Sequence, residues 1–169
     1  MNETFLKFSA PFIKSSKETF KLMMHTEVTM HSPKLKTDTV STGDITAIIG
    51  MNGSVENTEG PKDFKGVLAI SFPEPIYVKL AGRMLGEEYS EYTADISDVG
   101  AELANIILGA AKPGLSALGI KLDMTSPSTV RGKHHEISFP RGSTIVETTM
   151  SCDLGDFFLD ICYQDLKLK

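Results

Sequence analysis

The stretch DISDVGAELANIILGAAKPGLSALGIKLDMTSP, from Asp95 to Pro127, constrains the fold more than any other part of the chain. Ile96, Val99, Leu103, Ile106, Ile107 and Ala110 recur at helical spacing and predict a helix with one side turned to a core. Asp98, Glu102, Asn105 and Gly109 recur one turn apart on a second stripe. At helical pitch the three polar residues fall within roughly 60° of one another. Asp95 or Ser97 is the expected cap, and Gly119 the expected stop. Pro113 cannot donate to the carbonyl of Gly109 and predicts a kink there. A carboxylate and a carboxamide held together on a rigid rod can bind a water or a partner's polar group. Any solvated amphipathic helix shows a similar polar face, so helix geometry alone assigns no function.

The rest of the chain supplies strands and two further helices. Phe5, Phe8, Phe12, Phe20 and Met23 lie near helical spacing over about residues 3–24, with Pro11 inside. Their aromatic bulk suits a core better than a ligand pocket. Glu27 to His31 is a short candidate strand, followed by a turn at Pro33. Residues 44–51 place Ile45, Ala47, Ile49 and Met51 on one side. Residues 64–72 do the same with Phe64, Gly66, Leu68, Ile70 and Phe72. The polar segment NGSVENTEGPKD between them reads as a mobile hairpin loop.

Pro73 and Pro75 open a helix that ends at Gly86, with Ile76, Val78, Leu80, Ala81, Met84 and Leu85 as its apolar side. GEEYSEYTAD is an exposed acidic linker. After Pro127 the pattern returns to strands: His135, Ile137 and Phe139; then Val146, Thr148, Met150 and Cys152; then Phe157, Leu159, Ile161 and Tyr163. Helices and antiparallel strands around one sheet make an α+β architecture. A long helix followed by strands occurs in each half, which suggests an internal duplication. The first half has no Glu-x-x-Asn, so a polar site of that kind is expected once per chain.

Composition narrows the function. A length of 169 residues, 41% hydrophobic and 23% charged, fits one globular domain spanning residues 1–169. The net charge of −5 lacks the electrostatic footprint of a duplex nucleic-acid binder. Arg131, Lys133, His134 and His135 form a short basic cluster that reads as a solvated loop. No segment approaches the roughly 18 apolar residues of a membrane span. Lys7, Lys14 and Lys17 break up any signal-like apolar stretch, so a soluble, cytoplasmic protein is expected. Cys152 and Cys162 lack CxxC spacing and are expected as buried free thiols.

The spacing Asp98, three residues, Glu102, two residues, Asn105, twenty-one residues, Pro127 resembles the signature [Asp/Ser]-x3-Glu-x2-Asn-x21-Pro of the CheX/CheC/FliY chemotaxis phosphatases. Taking each position at about one in twenty, such a match arises by chance in about one chain in several hundred. GAELAN, KLDM and SPSTVRGK also resemble CheX, and a single copy is closer to CheX than to CheC, which usually carries two. Lys112-Pro113 inside the motif helix departs from the pattern, downstream of the polar residues.

The resemblance implies a CheX-like fold, a largely antiparallel sheet packed against long helices in pseudo-duplicated halves. It implies a substrate, the aspartyl-phosphate of a CheY-like response-regulator receiver carrying its own Mg²⁺, with no cofactor held by this chain. It further implies that Asn105 orients the attacking water and Glu102 pairs with a receiver lysine. Asp98 would cap or pair near the helix start, and Pro127 would shape the adjoining loop. Phosphoryl transfer needs mainly positioning and charge stabilisation, and a carboxamide can both accept from and donate to a water. Family members of this type pair through sheet edges, so a homodimer is expected.

Three rival readings stand beside this one. One is a module that binds a receiver or a flagellar motor component without turnover. Another is a metal hydrolase built on His134 and His135, although adjacent strand residues point to opposite faces. The third is a purely structural dimerisation domain.

Overall fold

The computed structural model describes residues 3–57 and 60–164. Helix α1 (Glu3–Met24) is set by Phe5, Phe8, Phe12 and Phe20, all buried on one face. It runs on through Pro11. Met24, not the expected Met23, completes the buried face, and Met23 is 39% exposed. Strand β1 (Thr29–Met30) lies within the expected segment, whereas β2 (Lys34–Lys36) forms just past the Pro33 turn, where no strand was expected.

Strands β3 (Ile45–Asn57) and β4 (Gly60–Phe72) pair antiparallel from Ile45↔Phe72 to Asn57↔Gly60. The polar segment expected as a mobile loop is therefore mostly strand. Val55 is buried within it and Phe64 just after it, Phe64 in edge-to-face contact with Phe8 of α1, and these anchors carry the ladder past the polar residues. Of the expected loop, Thr58 and Glu59 lie outside the described residues.

Helix α2 (Glu74–Leu85) starts where Asp44 Oδ2 accepts the Glu74 backbone N–H, and stops at Gly86, whose φ of 71° needs a residue free of Cβ strain. A single 3₁₀ turn (Ala94–Ile96) leads into α3 (Val99–Ala117). Strands β5 (Ile120–Met124), β6 (Ser128–Arg131), β7 (Ser143–Cys152) and β8 (Gly155–Gln164) follow. The strand expected at His135, Ile137 and Phe139 does not form. Its backbone bonds go instead to residues 39–41, through Ser41 N–H to His135 O, Ile137 N–H to Thr39 O and an isolated Val40–Glu136 bridge.

All pairings are antiparallel, in the order β1-β7-β8-β4-β3-β5, with β2 also on β7 and β6 also on β3. The succession α1-β1-β2-β3-β4 recurs as α3-β5-β6-β7-β8, with α2 between the halves. Each half lends its two short strands to the first long strand of the other, and the halves meet where β4 pairs β8. The duplication expected from the sequence is thus an exchange of edges.

The core lies between the helices and one sheet face. Phe8 contacts Phe12, Phe64 and Tyr163, and Phe20 stacks on Phe157 beside Phe72. Each fully buried ring contributes on the order of 1.5–3 kcal/mol. On the opposite face, Glu147 and Asp160 stand directly across the β7–β8 ladder. Both pair with Lys36 Nζ, at 3.0 and 2.8 Å, and all three side chains are buried. Burial pushes the Asp160 carboxyl up to about 6, even beside Lys36. Burial also raises Glu147, but bonds from Thr42, Lys34 and Lys36 outweigh it and hold that carboxyl low. Nearby, Ser41, Thr46 and Ser71 share hydroxyl hydrogen bonds, and His135 joins Thr46 to the Gly132 carbonyl.

Cys152 is half-buried and Cys162 buried, and both are free. No helix among the described residues is long and apolar enough to cross a membrane.

Candidate functional site

The site begins with how α3 starts. The expected caps, Asp95 and Ser97, precede it in the 3₁₀ turn and its exit, where Ser97 Oγ bonds back to Ala94 O at 2.7 Å. Asp98 occupies the N-cap position but its side chain makes no capping bond. The free backbone donors of the first turn find acceptors elsewhere. Gly100 N–H donates to Tyr77 Oη at 2.9 Å, and Ala101 N–H donates to Thr129 Oγ1 at 2.9 Å. Tyr77 Oη in turn donates to Ile96 O at 2.8 Å. Burial pushes the Tyr77 phenol up to about 12, so it remains a neutral donor.

Tyr77 is itself wedged between Phe72 and Tyr92. Arg131 lies 4.2 Å over the Tyr92 ring and forms a two-pronged pair with Glu74, at 2.9 and 2.7 Å. Arg131 therefore ends a strand and braces this scaffold, and does not belong to the solvated loop that was expected. Neither Tyr77 nor Thr129 stands out in the sequence, because caps supplied by distant elements leave no local pattern. A Tyr in the buried face of α2 was the only available hint.

The buried face of α3 is also turned from the expected one. Val99, Gly100, Leu103, Ala104, Ile107, Leu108, Ala111 and Leu115 are buried, while Ile106 is half-buried and Ala110 exposed. Small residues explain the rotation. A Cβ on Gly100 would lie 3.0 Å from Thr129 Oγ1, and one on Gly114 would lie 2.9 Å from Pro11. The helix sits tightly against β6 and α1 through residues that carry little apolar weight in a periodicity count. It also continues through Pro113 to Ala117.

This rotation places the Asp98, Glu102, Asn105 and Gly109 stripe roughly 160° around the helix from the centre of the buried face. Asp98 and Glu102 are exposed and Asn105 is half-buried. A Cβ on Gly109 would meet nothing within 4 Å. Among the described residues no hydrogen bond or ion pair engages the side chains of Asp98, Glu102 or Asn105. An acid and an amide one turn apart thus face outward with their polar atoms unengaged.

Half-buried Pro127 stands two residues before Thr129, whose Oγ1 accepts the Ala101 N–H at the start of α3. Thr125 fixes the bend before Pro127, exchanging bonds with Gly50 at 2.9 and 3.0 Å.

Residues 45–151 match the family model described as chemotaxis phosphatase CheX. The chain belongs to the CheX family. A CheC-like superfamily protein from Shewanella sp. PV-4 is 31% identical, with a TM-score of 0.80 over 97% of this chain and 99% of that one. Chemotaxis protein CheX from Vibrio vulnificus is 29% identical, with a TM-score of 0.79 over 94% and 99%. The same fold occurs in the CheX-CheY-BeF3-Mg²⁺ complex from Borrelia burgdorferi, at 23% identity and a TM-score of 0.76 over 94% and 98%. No curated protein matches the chain.

The CheX-family motif stands once in the chain: helix α1 contains no asparagine and so presents no Glu-x-x-Asn pair of its own.

The metal-hydrolase reading finds no support in the geometry. Among the described residues no three His, Cys, Asp or Glu side chains group as a metal site. His134 is exposed at a positive φ of 54°, whereas His135 is tied to Thr46 and Gly132 O, both at 2.7 Å.

Proposed function

We propose that this CheX-family chain is a single domain, residues 1–169, that hydrolyses the aspartyl-phosphate of a CheY-like receiver. Family membership supports the phosphatase class, and the CheX-CheY complex from Borrelia burgdorferi supports a receiver as partner. The observation that carries the assignment is the outward-facing pair of Glu102 and Asn105, without side-chain polar partners among the described residues, beside the open surface at Gly109.

In this reading Glu102 pairs with a lysine of the receiver and sets the docking. Asn105 enters the receiver's site, and its carboxamide accepts from and donates to a water aligned behind phosphorus. Attack by that water breaks the phosphorus–oxygen bond to the receiver aspartate. The carboxylate departs and inorganic phosphate retains both water protons. The receiver supplies the electrophile and the Mg²⁺ that neutralises phosphoryl charge, so this chain needs no nucleophile of its own. Asp98, lacking a capping bond, stands as an outer contact at the top of the stripe, and Pro127 shapes the adjoining loop. Function in the cytoplasm and pairing into a homodimer belong to the same proposal.

The test is phosphate release from a panel of phosphorylated receiver domains, with wild-type protein beside Asn105→Ala. Receiver binding without faster release would support the non-catalytic module instead.

A further inference from the structure

We infer that Tyr77 and Thr129 are positioning residues for the reaction, acting through the first turn of α3 on Glu102 and Asn105. This rests on the phosphatase reading above. Among the described residues the two motif side chains have no hydrogen bond or ion pair to orient them, so their aim depends on where the helix sits and how it is rotated. That setting is fixed at Gly100 and Ala101, immediately before Glu102, by acceptors from α2 and β6. The helix's own N-cap residue contributes no side-chain bond. Tyr77 grips the chain on both sides of the helix start, donating to Ile96 O and accepting from Gly100 N–H. Thr129 adds a second point of attachment on a different element, two residues from Pro127. Attachment to two elements determines rotation about the helix axis as well as position, and a shift of about 1 Å in a reacting group can cost a hundredfold in rate.

The experiment measures phosphate release from a CheY-like receiver phosphorylated by a small acyl phosphate in Mg²⁺. It compares wild type, Asn105→Ala, Tyr77→Phe, Thr129→Val and Thr129→Ser, each at a temperature where its thermal unfolding curve shows it folded. Tyr77→Phe keeps the ring stack and removes the oxygen, and Thr129→Val keeps the side-chain shape with a methyl in place of the hydroxyl, so each loses the acceptor. The expected result is a drop in kcat of about tenfold for each, with half-saturation changed less than twofold. Thr129→Ser should hold kcat within about twofold of wild type, because the hydroxyl is retained.

Folded Thr129→Val and Tyr77→Phe proteins with full kcat would overturn the inference. So would a change confined to half-saturation, or equal loss in Thr129→Ser. If Asn105→Ala is inactive while Thr129→Val is not, the positioning role alone fails. If wild type releases no phosphate beyond the receiver's own rate, the phosphatase reading fails and takes the inference with it.

Discussion

Tyr77 Oη, from helix α2, accepts the Gly100 N–H at 2.9 Å and so anchors the first turn of the helix that carries Glu102 and Asn105. The two long helices do different work. The first packs rings against both long hairpins. The second is gripped at its start and displays a polar stripe.

The Glu102 side chain is exposed and makes no hydrogen bond or ion pair among the described residues, so Glu102→Lys should leave stability within about 0.5 kcal/mol of wild type. Reversing the charge that meets a receiver lysine should raise half-saturation for phosphorylated receiver about tenfold, equivalent to about 1.4 kcal/mol. Steady-state phosphate release against receiver concentration separates the two parameters. A change in maximal rate alone would contradict the docking role.

Gly109 faces open space, so Gly109→Ala should stabilise the helix by about 0.5–1 kcal/mol, read as a rise of a few degrees in Tm. A large residue there would stand in the path of any partner approaching Asn105. Gly109→Trp should therefore keep the fold and weaken receiver binding, as measured by titration with activated receiver. Unchanged affinity would place docking off this stripe.

The apolar alternation of β3, β4, β7 and β8 was legible in the sequence because one face of each is packed under helices. The start and rotation of α3 were not. Gly100 and Ala104 are buried and Gly114 packs against Pro11 by close approach, and periodicity weighs such residues lightly beside Ile106. The long β3–β4 hairpin was hidden by polar residues on its exposed face, though Val55 and Phe64 carried the strand signal. The motif itself was fully legible, whereas Tyr77 and Thr129 act through bonds to residues 23 and 28 positions away.

The buried Lys36, Glu147 and Asp160 cluster escaped notice for a similar reason: alternation marks both acids as outward-facing, and their cation is more than a hundred residues away. Lys36→Met should leave Asp160 buried without a counter-charge and Glu147 with Lys34 alone, costing about 3–5 kcal/mol in urea unfolding. A loss below about 1 kcal/mol would mean that water reaches the cluster.

Asp160 also makes stability depend on pH. Its folded carboxyl sits at about 6, above the ordinary 3.8, so the ionised form opposes folding. This penalty is fully present above about pH 6 and fades as the pH falls towards 4. Asp160→Asn removes the titration, so its stability relative to wild type should be more favourable at pH 7.5 than at pH 5. The difference between the two pH values is on the order of 1–3 kcal/mol. Denaturant unfolding of both proteins at the two pH values checks this, and a difference of opposite sign would contradict the burial of that charge.

The most direct measurement is the rate of phosphate release from a phosphorylated CheY-like receiver with Mg²⁺, wild type against Asn105→Ala. The Asn105 side chain makes no hydrogen bond among the described residues, so the variant should fold and melt like wild type while its maximal rate falls on the order of 10²–10³. A folded Asn105→Ala protein that releases phosphate at the wild-type rate would contradict the assignment of the amide as the group that positions water.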